Sequence, residues 1–230
     1  MSTVAIVQAR MGSTRLPGKM SMKLGKYTIL EWVLRRLKSS KRLEDVILAT
    51  TDSPKDDLLE KYANELGVKV FRGSESDVLG RFVAACEISK ASHIVRICAD
   101  NPFLDVSVID GLISDFEKGS YDYGFNHIPW GENKFIDGVG AEIFTKDLLS
   151  QMGKNAKLPD EREHVTRFIW NNWKQFRILS PTAEAKFRFP SLSLDIDTLD
   201  DYELFNSHLS NYQGNPENYS VTTLISKLIA

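Results

Sequence analysis

The stretch QARMGSTRLPGK at residues 8–19 gathers Arg10, Arg15 and Lys19 around Gly12 and Gly18, straight after the apolar run TVAIV. Glycines let a backbone approach a ligand closely, and exposed amides flanked by cations make a polyphosphate site. Lysine and arginine in such a loop can also neutralise charge that moves onto a leaving pyrophosphate. Two familiar phosphate loops fail on spacing. Counted from Gly12, the pattern G-x-x-x-x-G-K-[ST] puts Pro17 where its second glycine belongs, and Gly18 comes one residue late. Met20 then replaces the hydroxyl that would hold magnesium. The dinucleotide pattern G-x-G-x-x-G fails as well, because Ser13-Thr14-Arg15 follows the first glycine.

Carboxylates stand at places from which they could serve the same loop. Asp100 follows the apolar run HIVRIC, and a strand-end carboxylate can face the crevice that the loop faces. It could equally be a turn or cap residue. In SLSLDIDT (191–198) polar and apolar residues alternate, so Asp195 and Asp197 point to one face of a strand. Paired carboxylates repel unless a cation sits between them. An N-cap role for Thr198 or Asp197 ahead of a helix at 200–209 is the alternative.

The elements that position these groups follow from hydrophobic spacing. Val4–Val7, Val46–Ala49, Val68–Phe71 and His93–Cys98 are short apolar runs of the buried-strand kind. Between them, Thr28–Ser40 places Ile29, Trp32, Val33 and Leu37 at helical spacing with Thr28 as its N-cap. Pro54–Leu66 has proline in its first turn and Gly67 at its stop, and Asp77–Lys90 and Val106–Lys118 are further helices. Strands alternating with helices, and few polar residues within the strands, predict a mostly parallel sheet covered on both faces. The expected fold is α/β, a Rossmann-like three-layer sandwich whose first strand ends at the loop 8–19. Beyond residue 120 the pattern loosens. Strands are expected at Tyr123–Phe125 and Val139–Phe144, and helices at Asp160–Trp173, Asp200–Leu209 and Val221–Ile229. The chain reads as a single domain over 1–230, with a lobe over the sheet at about 120–175.

Composition narrows the function. The 230 residues are 42% hydrophobic and 26% charged with a net charge of −2, enough to bury a full core and too balanced for nucleic-acid binding through bulk charge. The basic cluster Arg35, Arg36, Lys38, Lys41 and Arg42 fits the solvated end of a helix. Cys86 and Cys98 lack metal-ligand spacing and sit in apolar segments, as free thiols of a reducing compartment do. MSTVAIVQAR is too short in its apolar run for a signal peptide, and no segment has the length of a membrane span. The expectation is a cytoplasmic protein with no membrane or nucleic-acid partner.

VQARMGSTRLPGK resembles the signature loop of the nucleotide-sugar-forming cytidylyltransferases, the acylneuraminate and Kdo (3-deoxy-manno-octulosonate) enzymes, and most of all the spore-coat polysaccharide group SpsF. The shared core AR-x-x-S-x-R-L-P-G-K is Ala9-Arg10, Ser13 and Arg15-Leu16-Pro17-Gly18-Lys19. ATTDSPKDD (49–57), RGSESDVLGRF (72–82), RICADNPFLD (96–105), DGVGAEIF (137–144), EHVT (163–166) and DIDTLDDYE (195–203) extend the resemblance over nearly the whole chain. It implies the nucleotide-diphospho-sugar transferase type of α/β fold and transfer of CMP from CTP to a sugar or sugar-acid hydroxyl. Ala9, Arg10, Gly12, Ser13, Arg15 and Lys19 would hold the triphosphate, with Lys19, Arg10 and Arg15 stabilising the departing pyrophosphate. Asp100 and Asp197, and after them Asp195, would hold Mg2+. The family's usual proline after that aspartate block is Leu199 here, a change in how the helix starts.

By the same resemblance Arg72, Ser74 and Asp77 line the base pocket. Arg81, one turn beyond Asp77, either joins that pocket or is the i,i+4 salt-bridge partner of Asp77, the reading its spacing favours. For the acceptor the candidates are Asp137, Glu142 and His164, with Trp130 as a stacking surface or a core residue of the lobe. His164 is placed early in a helix, where a plain surface histidine is the competing reading. Relatives of this kind assemble as homodimers, and the aromatic-rich 121–135 stretch could supply the interface. Two rivals differ in class: a glycosyltransferase of similar fold with a nucleotide-sugar donor, for which DID would be a DxD motif, and a non-catalytic nucleotide-binding scaffold.

Overall fold

The structure is a computed structural model that describes residues 2–229. Strand β1 (Thr3–Gln8) leads into the loop at 9–18, a short 3-10 turn at Lys19–Ser21 and a small antiparallel hairpin of β2 (Lys23–Leu24) and β3 (Tyr27–Thr28). Helix α1 (Ile29–Lys38) starts on a capping box: the Thr28 hydroxyl accepts from the Glu31 amide while the Glu31 carboxylate accepts from the Thr28 amide. Next come β4 (Asp45–Thr51), α2 (Asp57–Glu65), β5 (Lys69–Gly73), α3 (Val78–Glu87), β6 (His93–Cys98) and α4 (Val106–Lys118). Gly67 ends α2 at φ 64°, a left-handed position that favours glycine. Asp77 and Asp105 cap α3 and α4 through their carboxylates.

The sheet order is β5-β4-β1-β6 and then three strands from the second half of the chain. These are β7 (Tyr123–Phe125), β8 (Glu142–Thr145) and β9 (Ile178–Leu179). The first four strands are parallel, β8 is antiparallel to β6 and to β7, and β9 is parallel to β7. Residues of β1 feed two cores in alternation. Ala5 and Val7 pack with α1 and α4 on one face, while Val4 and Ile6 pack with α3 and with α5 (Lys146–Asn155) on the other. A strand buried on both faces has no polar side to show, which is why TVAIV reads as a continuous apolar run.

Three expectations change in detail. The stretch expected as a lobe contributes β7 and β8 to the sheet itself, and α5, α6 (Pro159–Glu163) and α7 (Arg167–Asn171) follow. The expected helix 160–173 is two short helices, broken where His164 leaves the helical region at φ −104°, ψ 95°. The break turns Val165 fully into the second core, and the β-branched pair Val165-Thr166 costs a helix little to lose. Residues 191–198 are extended but form no strand of the sheet: Leu194 donates to the Asp137 carbonyl and Ile196 to the Asp100 carbonyl. Leu194 and Ile196 are fully buried, so the alternation holds and Asp195 and Asp197 face the other way. Helix α8 (Leu199–Leu209) begins on a second capping box, Thr198 with Asp201, and α9 (Val221–Leu228) closes the chain. No helix among the described residues is long and apolar enough to cross a membrane.

Candidate active site

The carboxyl ends of β1, β4, β5 and β6 meet at one edge of the sheet, where open α/β sheets bind ligands. The loop after β1 is held there from outside and from within. Asp56, buried at the start of α2, accepts from the Met11 amide at 2.8 Å and from the Thr50 hydroxyl and Thr51 amide at 3.0 and 3.1 Å. The Met11 carbonyl in turn accepts from the amides of Ser13 and Gly18, and the Ser13 hydroxyl accepts from the Leu16 amide. Gly18 stands at φ 72°, where a side chain would be strained. The amides of Gly12, Thr14 and Arg15 donate to nothing among the described residues. They are free to meet phosphate oxygens.

The 3-10 turn after Gly18 drives Lys19 inward until its side chain is 8% exposed. Its ammonium donates to the Ile196 carbonyl at 2.8 Å, to Asp197 Oδ1 at 3.0 Å and to Asp100 Oδ2 at 3.4 Å. Arg15 reaches Asp197 Oδ2 at 2.8 Å from the solvent side, and Arg10 lies 3.5 Å from Glu75. Together these groups wall a cavity of about 290 Å3 that also takes in Ala9, Ser13, Arg81, Glu163 and His164. Loop 8–19, Asp100 and Asp197 are therefore brought to one place, as the sequence predicts.

Carboxylates outnumber cations on this floor. Burial, then the neighbouring Asp137, Asp100 and Asp197, push the Asp195 carboxyl up to about 8, with Lys19 pulling the other way. Asp137 is likewise raised by burial, against the Gly138 amide, with Asp100 and Asp197 adding to the rise. Turned so that both ends of its amide are satisfied, Asn101 donates to Asp195 at 2.7 Å and to Asp100 at 3.3 Å. Among the described residues no three His, Cys, Asp or Glu side chains are grouped as a metal cage. Magnesium does not need one, since it takes one or two carboxylates and completes its shell with phosphate oxygens and water. The hard oxygen donors Asp100 and Asp197, with negative charge in excess, fit that ion.

Other expected residues lie elsewhere. Arg72 is a clamp on the β4–α2 connection: it donates to the carbonyls of Thr51 and Ser53 at 2.9 and 2.7 Å and pairs with Asp57 and Glu60. It is not part of the cavity wall. Arg72→Ala is accordingly expected to lower stability by about 1–2 kcal/mol in urea unfolding and to leave triphosphate titrations unchanged. Ser74 caps the Asp77 amide, and Asp77 caps α3 through the Gly80 amide and pairs with Arg162 of α6. Arg81 thus lacks the expected partner and lines the cavity instead. Asp137 joins the carboxylate cluster, its main chain bonded to Leu192 and Leu194.

Glu142 does not face an acceptor. It is 2% exposed and pairs across the sheet with Arg96, to which β6 and β8 register it directly, while the Tyr123 hydroxyl donates to it. Burial alone would raise its carboxyl, but Arg96 above all, then His127, Tyr123 and Thr166, hold it at about 2. His164 does stand at the cavity, exposed and 3.5 Å from Asp160, between two helices rather than within one. Trp130 is 45% exposed in an edge-to-face cluster with Phe125, Trp170 and Trp173. One residue of the site escapes sequence reasoning, Asp56, because the two aspartates of SPKDD look alike. Of the two readings of Arg81 the salt bridge to Asp77 fails, since Arg162 takes that carboxylate.

Comparison with known proteins agrees with this geometry. The family model described as cytidylyltransferase matches residues 4–216. The spore coat polysaccharide biosynthesis protein SpsF of Bacillus subtilis is 38% identical over 230 residues, covering 97% of this chain and 92% of that protein. A 3-deoxy-manno-octulosonate cytidylyltransferase of Thermodesulfovibrio yellowstonii is 25% identical, with 92% of this chain and 100% of that protein covered. A cytidylyltransferase structure from Leptospira borgpetersenii superposes with a TM-score of 0.90 at 35% identity, covering 100% of this chain and 94% of the other.

Proposed function

The chain belongs to the cytidylyltransferase family and is a nucleotidyltransferase, and from that premise we propose that it transfers CMP from CTP to a hydroxyl of a sugar or sugar acid, releasing pyrophosphate, with Mg2+ bound by Asp100 and Asp197. The observation that carries this reading is the Lys19 ammonium, buried between Asp100 and Asp197 under a loop with free amides. The amides of Gly12, Thr14 and Arg15 and the side chains of Arg10 and Arg15 bind the triphosphate. Lys19 faces the oxygens on which charge builds as the pyrophosphate departs, and fixed charge in a dry site is worth more there than in water. When bound, Mg2+ supplies Lewis-acid polarisation of the α-phosphate. The acceptor hydroxyl attacks the α-phosphorus, its P–O bond forming as the bond to pyrophosphate breaks.

His164 and Glu163 also line the cavity, and the acceptor is placed beside them. Similarity to a spore coat polysaccharide biosynthesis protein and to a 3-deoxy-manno-octulosonate cytidylyltransferase favours a sugar acid or another sugar bound for a surface polysaccharide. The family sets aside the glycosyltransferase and scaffold rivals. The test is incubation with CTP, Mg2+ and a panel of sugar acids and amino sugars, with pyrophosphate measured. Pyrophosphate released in step with a CMP-sugar is the expected result. Cleavage of a nucleotide sugar with no pyrophosphate from any triphosphate would refute the proposal.

A further inference from the structure

The two carboxylates proposed to hold the metal are paired with cations of the chain itself. Lys19 shares its ammonium between Asp197 Oδ1 at 3.0 Å and Asp100 Oδ2 at 3.4 Å, and Arg15 Nη2 holds Asp197 Oδ2 at 2.8 Å. Asp197 therefore has a cation on each oxygen. Asp100 has one among the described residues, and its other oxygen accepts from the Asn101 amide at 3.3 Å. A divalent cation brought to Asp197 meets a guanidinium at the same oxygen, and like charges at that range repel.

The two cations of the chain differ in how firmly they are held. Lys19 is buried and donates as well to the Ile196 carbonyl at 2.8 Å, so its ammonium is fixed. The Arg15 side chain is 66% exposed, and Asp197 is its one ion-pair partner among the described residues. An exposed pair of this kind shifts an equilibrium by about fivefold at most, so Arg15 can trade it for another anion at little cost. The loop need not move with the side chain. Leu16 beside it is buried, and its amide donates to the Ser13 hydroxyl.

We propose that Arg15 guards the metal site: it competes with the divalent cation for Asp197 Oδ2 and gives that oxygen up when a triphosphate takes the guanidinium, so metal and nucleotide bind as a coupled pair. This rests on the metal and triphosphate reading above. The exchange conserves charge, since Arg15 passes from one anion to another as the metal takes its place. A phosphate accepts two parallel guanidinium donors, a pairing as strong as the carboxylate gives. Metal alone must drive Arg15 into water, and triphosphate alone must share Arg15 with Asp197. Each ligand thus lowers the cost of binding the other, by the same factor in both directions.

The test uses Mn2+ in place of Mg2+, because electron paramagnetic resonance counts the free ion directly. Mn2+ is titrated into the nucleotide-free full chain for wild type, Arg15→Met, Arg15→Gln and Arg10→Met, and CTP affinity is measured by calorimetry for each with and without Mn2+. The expected result is nucleotide-free Mn2+ affinity raised about fivefold in both Arg15 variants. The factor by which Mn2+ strengthens CTP binding should fall in them by the same amount, as linkage requires. Arg10 lies 3.5 Å from Glu75 and pairs with neither aspartate, so Arg10→Met should weaken CTP binding and leave nucleotide-free Mn2+ affinity unchanged. Unaltered Mn2+ affinity in the Arg15 variants, with CTP binding to wild type still strengthened by Mn2+, would overturn the proposal. Equal gains in Arg10→Met would overturn it in favour of a general effect of net charge. A wild type whose CTP affinity does not respond to Mn2+ would refute the metal reading itself, and this inference with it.

Discussion

Lys19→Ala is expected to lower turnover by about three orders of magnitude, with a smaller effect on CTP affinity. The ammonium is buried and fixed by the Ile196 carbonyl and two aspartates, so no solvent rearrangement is needed when charge develops beside it. On the proposed reading triphosphate binding is shared with the free amides and with Arg10 and Arg15, so affinity is expected to fall less than rate. Lys19→Arg should not restore activity, since a planar guanidinium does not fit a slot shaped for a compact cation. Removing the ammonium also leaves Asp100 and Asp197 repelling each other, with Arg15 paired to Asp197 alone among the described residues. The variant should therefore gain more in melting temperature from added Mg2+ than wild type does. Steady-state kinetics and thermal melts check both statements, with circular dichroism to confirm the fold. Turnover within tenfold of wild type would remove Lys19 from the chemistry.

Glu142→Ala should act on stability instead, costing about 3–5 kcal/mol, the usual penalty for breaking a buried ion pair. Arg96 is left behind in the sheet, where its Nε already lacks a partner and Gln8, 3.4 Å from its other end, is a neutral substitute. The acid limb gives a second readout. Glu142 has its carboxyl depressed from 4.5 to about 2 by folding, so its contribution is complete above pH 4.5 and is lost as pH falls towards 2. The stability gap between wild type and Glu142→Gln should therefore narrow over that window and stay constant from pH 5 to 7. Urea unfolding at intervals of pH measures it. A loss below about 1 kcal/mol for Glu142→Ala would mean that water reaches Arg96 and screens it as at a surface.

Much of this was legible in the residues because local chemistry and tertiary structure agree. Apolar strands, the Thr28 cap, the Gly67 stop and the Asp77 cap each specify their element without reference to the rest of the chain. The loop at 8–19 is legible for the same reason, since Gly18 and the cations belong to one short segment. Residues whose role depends on a distant partner were not. Glu142 looked like an acceptor contact because its sequence does not say that β8 will lie antiparallel to β6 and set it opposite Arg96. The surroundings of Arg72 and Arg81 are set by long-range competition: Arg162 pairs with Asp77, and the β4–α2 carbonyls accept from Arg72. The helix break at His164 likewise depends on Val165 finding a core built from other elements.

The central claim, a magnesium-dependent CTP site on the loop after β1, is tested most directly by titrating CTP, UTP, ATP, GTP and dTTP with Mg2+ into wild type and Asp100→Asn. The account predicts selective CTP binding that weakens by about tenfold in the variant. Preference for another triphosphate, or CTP affinity unaltered in Asp100→Asn, would contradict it.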